Sequence, residues 1–462
     1  MKKEAVRSPS YLHYIPRVLA FILIVSVVVS LGYIYLHGEG ALASASSSEK
    51  YWMSIEISES EDYQNNISYS ERYNCTTDIV LSTSDGVLFT DTTAGTPAFF
   101  NLIGYSSALQ TRYLADVYGN AASRQNYHIL TGIRMFGDLE DAAILLTVNA
   151  ELQERMYEYL SANGVEGFVL AYQYSTGSIL CAVSTPGASS TDDETEDSQV
   201  NKCLYDTPAG STMKIVTLLL LAEQGVDLES LSYTCTGSYQ LSDGTSVNCT
   251  GMHGQLSAAG GVASSCNAWF AQAVVENLNL KQAIQTLKNL GFSVNGSNAE
   301  SSIGLVTVSP GTITLDTDAG WSFSNVWSLL GETTITVEPS FMMQLAAACV
   351  SDSICSPCFL QEEEGTESTA FSGYAEEMAV VREIWQEGAA MVAANYPDGL
   401  TVFKTGTYEF DDGSTQKNIM GASAEYGIAF FIAVENYSDV EGSTLSVTPA
   451  AIAEELLQAL SE

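Results

Sequence analysis

Three short groups of residues have the types and spacing to do chemistry. Ser211 and Lys214 stand in Asp206–Gly225, DTPAGSTMKIVTLLLLAEQG. On a helix, residues three apart share one face. A serine hydroxyl becomes a competent nucleophile only when a base takes its proton. A lysine serves as that base if burial or a neighbouring cation lowers its pKa. Ile215, Val216 and Leu218 to Leu221 surround Lys214 with apolar bulk that supplies the burial. The second group is Ser265-Cys266-Asn267, at the start of a helical pattern carried by Trp269, Phe270, Ala273 and Val274. The third, Lys404-Thr405-Gly406, follows a strand-like run, Leu400 to Phe403, and continues into Thr407. Each group alone is weak, and SxxK in particular is common by chance.

The elements that must position them are also legible. Pro208 and Gly210 make a turn into a helix that begins near Ser211 and stops at Gly225. A second helix, Asn149 to Ser161, carries Leu152, Met156, Tyr159 and Leu160 on one face and ends at Asn163-Gly164. After Lys404 come a turn (Asp411 to Ser414) and strands through Asn418 to Ser423 and Gly427 to Glu435, a mostly antiparallel sheet. Thr448 caps a closing helix with Pro449 at its first position and Ile452, Leu456, Leu457 and Leu460 on its apolar face.

In the order SxxK, SxN, KTG, the three groups resemble the signature of serine penicillin-recognising enzymes. The likeness extends to PAGSTMKIVT, HGQLS, GETTITVEPSFMMQLAAA and FKTGT. Residues 165–186 resemble the first core strands of penicillin-binding protein transpeptidases and residues 145–160 their preceding helix. The match covers about residues 145–435, and residues 101–113 more faintly resemble the N-terminal module of class B members. It implies an α+β, β-lactamase-like transpeptidase fold, with an antiparallel sheet between helices. It also implies the roles. Ser211 attacks the D-Ala-D-Ala carbonyl of a peptidoglycan stem peptide, Lys214 takes its proton, and Ser265 relays a proton to the departing D-Ala. Asn267 holds the substrate backbone, and Lys404 with Thr405 orients the terminal carboxylate. Gly406 lets the edge strand approach the substrate, and the amides of Ser211 and Thr407 form an oxyanion hole. No metal or organic cofactor is implied. The partners would be stem peptide on lipid-linked or nascent glycan, β-lactams, and a membrane glycan polymerase of the elongation or division machinery. Glu332 departs from the family, which usually has glutamine after Gly331.

At 462 residues there is room for two domains, and the charge of −38 argues against nucleic-acid or anionic-lipid partners. Residues 18–36 carry no charge and are long enough to cross a bilayer. Lys2, Lys3, Arg7 and Arg17 precede them, which orients residues 1–17 to the cytoplasm and the remainder outside. A cleaved signal peptide ending near ALASA (Ala41 to Ala45) is the alternative, but its apolar region would be shorter. The expected organisation is a membrane anchor, a linker over 37–50, a small pedestal-like module over 51–144 and a transpeptidase domain over 145–462. In the module, TTDIVLSTSDGVLF fits the family's arginine-led opening poorly, and the segment is too small for a glycosyltransferase. The acidic run at 191–197 reads as a solvated loop. A β-lactamase usually lacks the anchor and the residues before 145, a β-lactam sensor needs a cytoplasmic output domain for which 17 residues leave no room, and a non-catalytic scaffold would be expected to lose a catalytic residue, of which none is lost; a D,D-carboxypeptidase on the same fold is a further alternative.

The four histidines are His13, His37, His128 and His253, so a Ser-His-Asp triad has almost no candidates, and His253 reads as structural. Nine cysteines leave at least one unpaired. Some relatives carry a pair where Cys235 and Cys249 stand, so a disulfide is expected there. Closing that loop would stabilise by roughly 3 kcal/mol. Cys349, Cys355 and Cys358 cluster without a histidine, a poor zinc site better read as a local disulfide or free thiols. Cys266 reads as a packed free thiol.

Overall fold

The computed structural model describes residues 80–86, 88–89, 97–99, 102, 143–187, 198, 201–296, 302–303, 306–307, 310–332, 335–410, 412–437 and 447–462. The expected anchor, linker and acidic run lie outside the described residues, as does most of the expected 51–144 module. No helix among the described residues is long and apolar enough to cross a membrane.

The centre is a five-stranded sheet. Its strands are β1 (Gly167–Gln173), β2 (Ile179–Thr185), β3 (Val402–Glu409), β4 (Thr415–Ser423) and β5 (Ile428–Tyr437), in the order β3-β4-β5-β1-β2. Every pairing is antiparallel. Side chains alternate between faces along a strand, and the sheet is apolar on both. Phe168, Leu170 and Tyr172 of β1 join one buried cluster with Ala429, Phe431 and Ala433 of β5. Val169 and Ala171 join the other, with Phe430, Ile432 and Val434. Two-sided burial explains why β1 and β5 read as unbroken apolar runs rather than alternating ones.

On one face lie α1 (Ala150–Ala162) and, closing the chain, α8 (Pro449–Ser461). Their Leu152, Met156, Leu160, Ile452, Leu456 and Leu457 fill the second cluster, as the periodicity of both segments predicts. Asn149 caps α1 by accepting from Leu152 N, and Thr448 caps α8 by accepting from Ala451 N, satisfying amides that a helix start leaves orphaned. On the other face α2 (Met213–Glu223) is buried from Met213 to Leu221, which is why its sequence is apolar all round. Around it stand α3 (Ala258–Ala263), α4 (Asn267–Asn277), α5 (Phe323–Leu330), α6 (Pro339–Ala348) and α7 (Ala375–Val392). Ser211 falls not in α2 itself but in a 3₁₀ turn, Gly210–Thr212, that feeds it.

Cys235 and Cys249, expected as a disulfide, are free thiols. Their loop forms two small antiparallel pairs, Ser238–Gln240 with Ser246–Asn248 and Ser232–Cys235 with Gly254–Ser257. These carry both sulfurs towards His253 and Cys266 instead of bonding them to each other. The Cys349, Cys355 and Cys358 thiols are likewise free.

The rings of Phe168 and Phe431 stack at 5.9 Å between β1 and β5, both fully buried. Phe431→Ala removes a large core side chain where neighbours cannot close in, so it should destabilise by about 3–5 kcal/mol. Thermal or denaturant unfolding of the purified chain measures it.

Candidate active site

The three sequence groups meet where the outer edge of β3 crosses the start of α2. Lys214 is fully buried. Its Nζ lies 2.7 Å from Ser211 Oγ, 2.6 Å from Asn267 Oδ1, 2.9 Å from the Ser265 carbonyl and 3.2 Å from Ser265 Oγ. Four acceptors thus surround a group that as an ammonium has three protons. As a neutral amine it donates to two of them and turns its lone pair to the Ser211 hydroxyl, the arrangement a general base needs. Burial depresses the Lys214 pKa to about 8, with the negative charge of Glu332 pulling it back upward. Glu332 itself is buried enough that its carboxyl titrates above the usual carboxylate range, although the Lys214 charge opposes the rise. The ring of Phe270 lies 5.7 Å from Nζ.

Ser265 stands between two lysines. Its Oγ accepts from Lys404 Nζ at 2.9 Å, and Lys404 also donates to the Thr405 carbonyl at 2.7 Å. Burial, and then the charge of Lys214, hold the Lys404 pKa well below its ordinary value. Ser265 sits at φ 49°, in the left-handed region that a β-carbon disfavours. The turn is made by α3 stopping and α4 starting: Ser265 N donates to Val262 O, Cys266 N donates to Gly261 O, and Cys266 caps α4. Backbone strain of this kind persists where surroundings impose it, and it gathers at working sites.

Two glycines allow the close approach. A β-carbon on Gly406 would lie 2.8 Å from Ala209 O and 3.2 Å from Ser211 N, so only glycine lets β3 press against the serine turn. The expectation placed Gly406 against substrate; its contact within the protein is an additional reason for it. On the far side of the turn, Gly331 ends α5 in the left-handed region at φ 101°, with Glu332 N donating to Trp327 O. A β-carbon there would collide with the Gly210 carbonyl. Thr405 and Thr407 flank Gly406 on β3, opposite Ile419 and Lys417 of β4.

Asn418 carries no signal in the sequence yet is a positioning residue. It lies opposite Gly406 on β4, and its Nδ2 donates to Pro208 O at 2.7 Å, tying the serine turn to the sheet. Gln416 reaches the same segment through Thr207 Oγ1 at 2.7 Å. Behind the SxN turn, Cys235, Cys249, His253 and Cys266 converge, with one ligand atom each within 4.8 Å of the others. Reading each cysteine against its chain neighbours missed this set.

A family model, the penicillin binding protein transpeptidase domain, matches residues 167–441. The chain belongs to that family, and assignment to the class B penicillin-binding proteins fits it. No curated protein matches it. Among solved structures it is similar to penicillin-binding protein A of Mycobacterium tuberculosis, with a TM-score of 0.62 and 16% identity over 84% of this chain and 99% of that one. Two acyl-enzyme complexes of the same mycobacterial protein are similar too. The ceftriaxone complex has a TM-score of 0.62 and 15% identity over 84% of this chain and 98% of the other. The penicillin G complex has a TM-score of 0.61 and 17% identity over 83% and 98%. At this identity the likeness is one of fold.

Only neutral Lys214 can accept the serine proton. Acylation of Ser211 should therefore be slow below, and rise through, pH about 8 to a plateau. Removing the Glu332 charge removes an influence that raises that pKa, so Glu332→Gln should move the limb to lower pH. Rates of acylation by a chromogenic or fluorescent penicillin across pH measure both. A limb unmoved by Glu332→Gln would detach it from Glu332.

Proposed function

We propose that the chain is a membrane-anchored D,D-transpeptidase that cross-links peptidoglycan stem peptides through an acyl-enzyme on Ser211. The observation that carries this reading is the buried Lys214 amine held 2.7 Å from Ser211 Oγ and joined through Ser265 to Lys404. Family membership supports the acyl-transfer chemistry.

In this reading Ser211 Oγ attacks the carbonyl of the penultimate D-Ala as its proton passes to Lys214 Nζ. The developing oxyanion is met by the amides of Ser211 and Thr407, brought close by the Gly406 contact; such donors are commonly worth roughly 3–4 kcal/mol each. When the C–N bond breaks, the proton travels from Lys214 through Ser265 Oγ to the nitrogen of the departing D-Ala. The amine of a second stem peptide then attacks the ester and sends its proton back along the same path. Asn267 positions the substrate backbone. Lys404 receives the terminal carboxylate, and that anion restores the ammonium form which burial opposes. A β-lactam enters as a mimic of the same dipeptide, in keeping with the β-lactam acyl-enzymes formed by the mycobacterial protein. Residues 18–36 serve as the anchor, the catalytic domain stands outside the membrane, and a glycan polymerase supplies the strands.

A second reading, hydrolysis of β-lactams, takes its support from Glu332, a half-buried carboxyl near enough to Lys214 to shift it. One experiment separates the two. Intact-mass spectrometry after a penicillin pulse should find one adduct, mapped to Ser211 and persisting for many minutes once free drug is removed. Ser211→Ala should abolish it, and Lys214→Ala should slow its formation by about 10²–10⁴-fold. Loss of the adduct within seconds, with steady nitrocefin turnover, would make the chain a hydrolase; a label on another residue would refute the assignment of the nucleophile.

A further inference from the structure

Cys235, Cys249, His253 and Cys266 stand together behind the SxN turn. Cys235 ends one strand of its hairpin, Cys249 follows another, His253 lies in the turn before Gly254, and Cys266 caps α4. His253 Nδ1 lies 3.4 Å from Cys249 Sγ and 3.6 Å from Cys235 Sγ, and the sulfurs of Cys249 and Cys266 are 3.6 Å apart. All four ligand atoms fall within 4.8 Å of one another.

These spacings are those of the corners of a tetrahedron around a metal. With Zn–S near ~2.3 Å and Zn–N near ~2.05 Å, tetrahedral angles put sulfurs about 3.8 Å apart and sulfur from nitrogen about 3.5 Å. A disulfide requires about 2.05 Å between two sulfurs, would leave the third thiol over, and gives the imidazole at the centre no task. The surroundings also suit thiolates. Trp269 N donates to Cys266 Sγ at 3.4 Å. Hydrogen bonds to a sulfur favour its charged form.

We propose that Cys235, Cys249, His253 and Cys266 bind one zinc ion. Three thiolates and an imidazole form a soft set suited to zinc, and four protein ligands close the coordination sphere, so the ion is structural and takes no part in acyl transfer. Its consequence for the site is positional. Cys266 lies between the two residues that contact Lys214, and Ser265 holds a left-handed backbone. Binding Cys266 to the hairpin fixes that turn from behind. Asn267 Nδ2, which donates to Asn248 O at 3.0 Å, makes a parallel tie one residue from Cys249. The ion is to the SxN loop what Asn418 is to the serine turn.

The test uses the purified full-length chain, prepared without chelator and analysed for metals by inductively coupled plasma mass spectrometry. The expected result is one zinc per chain, lost in Cys249→Ser and in His253→Ala but retained in His253→Cys, which keeps four ligands, and in Cys355→Ser, which lies elsewhere. Cobalt in place of zinc should give the intense visible bands of a tetrahedral site and a thiolate-to-metal charge-transfer band in the near ultraviolet. Metal content and spectra do not depend on the transpeptidase reading. The positional consequence does: chelation of the wild-type chain should slow penicillin acylation of Ser211 by on the order of 10–100-fold, and added zinc should restore it. A chain without metal whose thiols take up neither zinc nor cobalt would overturn the proposal. So would a disulfide between any two of Cys235, Cys249 and Cys266 in non-reducing peptide maps, or equal loss of zinc in Cys355→Ser. Zinc bound with acylation unaffected by its removal would overturn the positional role alone.

Discussion

Everything at this site depends on keeping one amine out of water. A lysine in a dry interior is expensive as an ammonium, because the lost hydration is not recovered by neighbouring dipoles alone. A fall from 10.5 to about 8 corresponds to on the order of 3 kcal/mol against the charged form. That penalty turns a cation into a base. It is imposed by the unbroken apolar run of α2, which is buried on every side between the sheet and its neighbouring helices. The amine still needs partners, and each comes from a different part of the chain: Ser211 from the turn before α2, Ser265 and Asn267 from the junction of α3 and α4. Core packing and catalytic geometry are therefore one problem. A shift of α4 against α2 would leave Nζ unsatisfied as well as misaligned.

The sheet contributes an edge rather than a surface. Its inner strands are covered on both faces and fixed by side-chain alternation, so β3 inherits its place through β4. The edge would drift from the serine turn if any side chain stood at position 406. Asn418 then ties the turn down by a bond to the Pro208 carbonyl, across from that glycine. Lys404 is buried beside Lys214, and burial together with the Lys214 charge holds its pKa well below the ordinary value. Ser265 Oγ fills the space between them, within hydrogen-bond reach of both amines.

Much of this was legible in the sequence because it is local. SxxK on a helix, a triplet ahead of a helix and a triplet inside a strand are short-range patterns, and apolar periodicity places α1, α8 and the strands around them. The helix starts at Asn149 and Thr448 were readable as caps. What was not legible is what the fold assembles from afar. Asn418 is a polar residue in mid-strand, and its partner lies 210 positions away. The Cys/His cluster draws on three separate segments, with 13, 3 and 12 residues between successive members. Read along the chain, Cys235 and Cys249 look like the two ends of one closed loop, Cys266 like packing, and His253 like part of a glycine turn. Only the folding of the hairpin against α4 shows that they face one point. The same locality makes the CSPC sequence conspicuous, yet its thiols converge on no histidine among the described residues.

Glu332 shows how a departure from the family's usual residue can serve the same chemistry. Its backbone belongs to the turn that stops α5 and presses Gly331 on the Gly210 carbonyl, a role that glutamine would fill equally. Its charge is a different matter. A carboxylate that raises the pKa of Lys214 makes the neutral amine scarcer near neutrality, which slows the first proton transfer by population. It also makes the amine a stronger base and stabilises the ammonium that forms as Ser211 attacks. The two effects oppose each other, and their product is largest when the pKa lies near the working pH. Burial alone would carry Lys214 below its value of about 8, towards a more abundant but weaker base; the Glu332 charge draws it back. Burial raises the pKa of the Glu332 carboxyl in turn, and the Lys214 charge opposes that rise. On the proposed reading, Glu332 thus tunes the amine that takes the serine proton.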